Sequence, residues 1–99
     1  MNKYRVFVEG KNFIVKIENK IDRYGFFTTR FIEAKHAQDA EKISLDLIRD
    51  ELKDVVLNEK PDPPMLYINE IDELESFGDH LVPGKGFTWF EEKGPPEGA

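Results

Sequence analysis

Ninety-nine residues, 39% apolar and 34% charged, with eight Phe, three Tyr and one Trp, suffice for one compact domain with a narrow stability margin. The absence of cysteine excludes disulfides, thiolate catalysis and sulfur-ligated zinc, and the absence of any run of eighteen apolar residues excludes a membrane-spanning helix. A net charge of −6 argues against general nucleic-acid binding, which rests on cationic neutralisation of phosphates.

Met1-Asn2-Lys3-Tyr4-Arg5-Val6 enters a strand pattern at once and lacks the apolar core of a secretory signal, so a cytoplasmic protein is expected. Tyr4, Val6 and Val8 alternate with Arg5, Phe7 and Glu9, and Phe13, Val15 and Ile17 alternate with Asn12, Ile14, Lys16 and Glu18. Both stretches have the period of half-buried strands. Glu9-Gly10-Lys11-Asn12 between them offers a tight turn, with Gly10 free to take positive φ, so a hairpin is expected there. The polar stretch from Asn19 to Tyr24 reads as a loop or a second turn.

Gly25 to Ala34 is dense in aromatic and β-branched residues. Phe27, Thr29 and Phe31 fall on one face, and Phe26, Thr28, Arg30 and Ile32 on the other; with neither face clean, the expectation is a central strand, or one face against the helix and the other against a partner. Helical spacing follows. Ala37, Ala40, Leu47, Ile48, Leu52 and Val55 share one side, widened by Ile43, Leu45 and Val56, and predict a helix from Ala37 to Leu57. His36 stands at its N-cap, Asp39 complements the helix dipole, and Asn58 is a left-handed cap before Pro61 stops continuation. The stripe is wider than one sheet face needs, which points to a second subunit.

Pro61-Asp62-Pro63-Pro64 is a stiff connector. Met65-Leu66-Tyr67-Ile68 opens a fourth strand whose alternation then breaks, by a bulge or by a helical turn from Glu70 to Glu75. Ser76 to Gly86 reads as loop, and Phe87-Thr88-Trp89-Phe90 as a short last strand. The expected fold is therefore α+β: an antiparallel four- to five-stranded sheet in the order β-β-β-α-β-β, with one long helix on one face. Residues 1–92 form the single domain, and 93–99 a disordered C-terminal tail. Over residues 4 to 70, three strands, a helix and a fourth strand give an order that resembles HicB-type antitoxins in architecture alone. The chain departs from that family in having neither the Gly-Cys feature after the third strand nor an appended DNA-binding segment, so what the resemblance implies is no more than an antitoxin-like regulator.

Candidate chemistry is sparse. Glu70, Asp72, Glu73 and Glu75 crowd one stretch, but their spacing is not that of a calcium loop, and charges on an edge strand commonly block edge-to-edge pairing. The two histidines, His36 and His80, belong to no ligand motif; His80 beside Asp79 reads first as a surface loop residue, second as a base. Gly84-Lys85-Gly86 lacks the spacing of a phosphate-binding loop, and neither Ser44 nor Ser76 has the setting of a catalytic nucleophile. No catalytic, metal or cofactor site is expected.

The residues singled out for ligand or partner binding are Tyr24, Arg30, Tyr67, Phe87 and Trp89. Arg30 lies inside an otherwise apolar strand, so its charge needs an acid from elsewhere in the chain or an anionic ligand. Phe87, Trp89 and Phe90 put rings on both faces of the last strand, one face for the core and the other available as an interface anchor.

Charge is unevenly distributed. Residues 1–35 hold eight Lys or Arg against four acids, a net +4, and residues 36–99 hold six against sixteen, a net −10. Such bipolarity suits docking, although pairing within the domain is the simpler account. The leading expectation is a non-enzymatic protein–protein interaction or regulatory module, self-pairing as a homodimer or binding another protein, with no nucleic-acid or membrane partner. The alternatives are a small-molecule or anion-binding module built on Arg30 and nearby aromatics, and an enzyme using the acids at 70–75 with His80.

Overall fold

A computed structural model describes residues 1–92, with β1 (Asn2–Ile17), β2 (Lys20–Ala34), α1 (Ala37–Leu52), β3 (Met65–Leu74) and β4 (Thr88–Glu91) in chain order. The tail expected to be disordered, 93–99, lies outside the described residues. The strands pair antiparallel in the order β3-β1-β2-β4, and α1 packs across one face. Over the described residues the chain is thus α+β, with one helix on a four-stranded antiparallel sheet. The element order is β-β-α-β-β, one strand fewer than β-β-β-α-β-β, so the three-strand opening that carried the antitoxin resemblance is absent.

The missing strand has a physical explanation. Glu9 to Asn12 does not turn; it is a bulge within one long strand, where Gly10 pairs with Phe26 and the register shifts so that Phe13 pairs with Tyr24. Asn12, at φ 60, takes the positive φ expected of Gly10. Two alternating apolar runs around a polar break fit a bulge as well as a hairpin, and β2, long enough to pair with both runs, selects the bulge. The one-residue shift keeps Tyr4, Val6 and Val8 on the same buried face as Phe13 and Val15. Gly10 has a different role: a Cβ there would run into the Phe26 ring.

The hairpin itself closes at Glu18-Asn19, with φ 52 and 66, between Ile17 and Lys20. Positive φ at both central residues matches the right-handed twist of paired strands. The polar stretch expected as loop is therefore the start of β2. There the Lys20 ammonium donates to Glu91 on β4 at 2.6 Å, which holds its pKa above the ordinary lysine value.

The helix ends at Leu52, short of the expected Leu57, because the chain turns to meet the β1 bulge. Val55 and Val56 N–H donate to the Leu52 carbonyl, and Leu57 N–H donates to the Ile14 carbonyl at 2.8 Å. Asn58 is not among the positive-φ residues, so it is no left-handed cap. Its side chain instead accepts from Ile14 N–H at 2.9 Å and donates to the carbonyls of Asn12 (2.8 Å) and Asp62 (2.9 Å). One amide thereby meets two backbone groups of β1 at the bulge, Ile14 N–H and the Asn12 carbonyl. Asn58→Ala is expected to cost about 1–2 kcal/mol, with faster hydrogen exchange at Ile14 N–H as the local readout.

The buried face of α1 is Ala40, Ser44, Ile48 and Leu52, four residues at strict i+4 spacing. Ser44 is fully buried and donates to the Glu41 carbonyl at 2.8 Å, a back-bond that lets a hydroxyl sit in an apolar interface. Ile43 and Val55, expected in the stripe, are exposed. In β3 the broken alternation is a bulge, not a helical turn: Val8 pairs with Ile68 and Phe7 with Glu70, so Asn69 is the extra residue and Leu66, Ile68 and Ile71 pack against the core on the helix side. No helix among the described residues is long and apolar enough to cross a membrane.

Candidate functional site

Four of the five singled-out residues meet on the helix side of the sheet. Arg30 is opposite Val6 in the register and is completely buried. Its guanidinium donates from Nη1 and Nη2 to the two carboxylate oxygens of Glu51, at 2.5 and 3.0 Å, a bidentate fork between the central strand and the last turn of α1. Nε donates to Thr28 Oγ1 at 3.0 Å, and that hydroxyl donates in turn to the Gly86 carbonyl at 2.7 Å. Nη2 also reaches the Gly86 carbonyl at 3.3 Å, and the cation lies 5.2 Å from the Phe87 ring centre. The charge in the apolar strand is thus met by an acid of the chain itself. The cluster fastens three parts of the fold: β2, α1 and the segment entering β4.

Phe87 begins an aromatic cluster around Phe26, whose ring centre lies 4.9 Å from Phe87, 5.0 Å from Phe13 and 5.1 Å from Trp89. Tyr24 packs edge-on against Trp89 at 6.3 Å. β4 makes this possible by pairing Trp89 with Phe26 on the outer edge of β2. Arg30, Phe87, Trp89 and Tyr24 therefore form one continuous internal assembly. Tyr67 does not join it. Its register partner is Glu9 and it lies on the opposite face, 39% exposed, beneath the Lys11 ammonium and beside Met65.

That opposite face carries what the sequence reading passed over. Phe7 and Phe27 stack at 5.4 Å with their planes 8° apart, and Phe27 packs on Phe90 at 5.3 Å. The three rings, all half-buried, form a row across β1, β2 and β4 on the side without the helix. The cross-strand partners could not be paired from the sequence while β1 was divided in two. Beside the row lies a shallow depression of about 290 Å³ lined by Phe7, Phe27, Thr29, Lys85 and Thr88. Elsewhere on the molecule are ion pairs: Arg5 with Asp72 (2.5 Å) and Glu70 (3.7 Å), Lys3 with Glu33 (3.6 Å), and Lys11 with Glu9 (4.0 Å).

Two acids of the acidic stretch, and His80, are engaged within the fold. Glu70 and Asp72 serve Arg5, while His80 stacks on Phe31 with ring centres 4.3 Å apart, and Phe77 meets the same ring edge-on. Among the described residues no group of three or more His, Asp or Glu is gathered to hold a metal ion. Comparison with family models, with curated proteins and with solved structures yields no match for this chain.

Proposed function

We propose that the protein is a non-enzymatic interaction module that binds a protein partner through the helix-free face of its sheet. The observation that carries this reading is the half-exposed row of Phe7, Phe27 and Phe90. Accessible aromatic anchors, with a shallow depression beside them, are what a protein–protein contact uses at its centre. The helix already covers the other face and Arg30 is occupied by Glu51, so the binding surface is sought where rings remain accessible.

The test is a paired capture. The wild-type chain and a Phe7→Thr/Phe27→Thr variant are cross-linked in lysate of the source cell. Threonine retains strand propensity, and near-UV circular dichroism checks the fold. The expected result is that proteins retained by the wild type fall at least about tenfold with the variant, as hot-spot truncation does. Equal capture by both would overturn the reading. Self-association is a separate contact on the helix side, where Ile43 on α1 and Val55 in the turn that follows it are exposed. Equilibrium sedimentation at micromolar concentration is expected to give a dimer mass, and a monomer mass would remove the homodimer.

A further inference from the structure

A second, separate feature lies on the helix side. Between the C-terminal half of α1 and the β1–β3 side of the sheet runs a groove of about 330 Å³. Phe13 and Leu66 supply its floor, Ile48, Leu52 and Val56 one wall, and Pro64 its end. Its shape follows from features already described. The β1 bulge places Phe13, Leu66 lies across from Gly10 in the β1–β3 register, and the Leu57–Ile14 hydrogen bond holds the 53–57 turn over the bulge. At the mouth stand Arg49 in the last turn of α1 and Lys53 at its C-cap, four positions apart and so on the same side.

We propose that this groove binds a small apolar carboxylate, in chemical terms a medium-chain fatty acid, with its hydrocarbon in the groove and its head group between Arg49 and Lys53. Charge is the first argument. In a chain with 20 acids and 14 bases, the groove is lined by six apolar residues, two cations and no acid. Arg49 and Lys53 do have acidic neighbours, Asp46 at 3.6 Å and Asp50 at 3.0 Å, but all four side chains are more than half exposed. Such surface pairs contribute little, so either cation can turn to an incoming anion at small cost. Size is the second argument. The volume sits at the lower end of small-molecule sites, and a recognition helix would need anchors spread over two turns of a longer groove. A partly polar ligand is not favoured, because the lining offers hydrogen bonds only at the mouth.

The site is independent of the proposed protein contact, since it lies on the other side of the sheet. It is tested with decanoate and with decanol, its uncharged counterpart, by isothermal titration calorimetry. Trp89 fluorescence follows in parallel, because Phe13 packs edge-on against Trp89 at 6.4 Å. The expected result is one saturable decanoate site per chain with Kd below about 1 mM. Arg49→Ala/Lys53→Ala, which changes only exposed side chains, is expected to weaken decanoate by at least about tenfold and to leave decanol within about twofold. Val56→Phe, which fills the groove, is expected to weaken both. An unchanged melting temperature shows that each variant is folded. No saturable heat with decanoate, or equal decanoate affinity in Arg49→Ala/Lys53→Ala and the wild type, would overturn the proposal.

Discussion

Glu51→Ala is expected to lower the unfolding free energy by about 3 kcal/mol, because it strands the fully buried Arg30 guanidinium without its counter-charge. The figure is set at the low end for a broken buried pair, since the Glu51 side chain is 32% exposed and its loss admits water. Arg30→Ala is expected to cost more, about 4 kcal/mol, because it removes the fork, the bonds to Thr28 and Gly86 and the contact with Phe87, and leaves a cavity. Against a total of about 5–15 kcal/mol, either change leaves a marginal domain. The decisive measurement is the cycle of Arg30→Met, Glu51→Leu and their double variant. Arg30→Met/Glu51→Leu replaces both charges with apolar side chains and is expected to recover at least about half of the loss, since the penalty lies in the unpaired charge. Urea melts of the four proteins measure it. Additive losses in the double variant would show that the two side chains do not act as a pair.

Phe26→Ala is the second large effect, expected at about 4 kcal/mol. Phe26 is fully buried and its ring meets Phe13, Phe87 and Trp89 at once, so truncation removes three aromatic contacts as well as transfer energy. The surroundings cannot close on the gap. Gly10, directly opposite, has no side chain to move in, and Trp89 is held by the pairing of β4 with β2. Phe27→Ala, one residue along but on the helix-free face and only half-buried, serves as the control and is expected to cost less than half as much. Thermal melts followed by Trp89 fluorescence distinguish the two. Equal losses would mean that the helix side is not the dominant core. The contrast also bears on function, because a ring that contributes little to stability yet stays half-exposed is available to a partner.

Particular residues show how far sequence reasoning reached. The alternation in Tyr4–Glu9 and Phe13–Ile17, the mixed faces of Gly25–Ala34 and the helical spacing from Ala37 placed the sheet and its single helix, because burial on one face imposes a period. The need of Arg30 for a partner was equally legible, since a charge in an apolar strand has to be met. That Glu51 meets it was not, because the two lie 21 positions apart and only the docking of α1 on β2 brings them together. The row of Phe7, Phe27 and Phe90 was hidden for a related reason: cross-strand neighbours depend on register, and register depends on whether Gly10 turns or bulges.

The sequence alone therefore determined the class of the fold, one helix on an antiparallel sheet, and the residues able to fill a core. Local periodicity and chain-breaking residues carry that information, and both act over a few positions. Tertiary structure alone decided that Glu9–Asn12 continues a strand, that Asn58 completes the bulge by bonding to residues 44 and 46 positions away, and which rings remain accessible. Each of these depends on a pairing between distant segments, and hydrogen-bonding groups left open by one segment are satisfied only where another arrives.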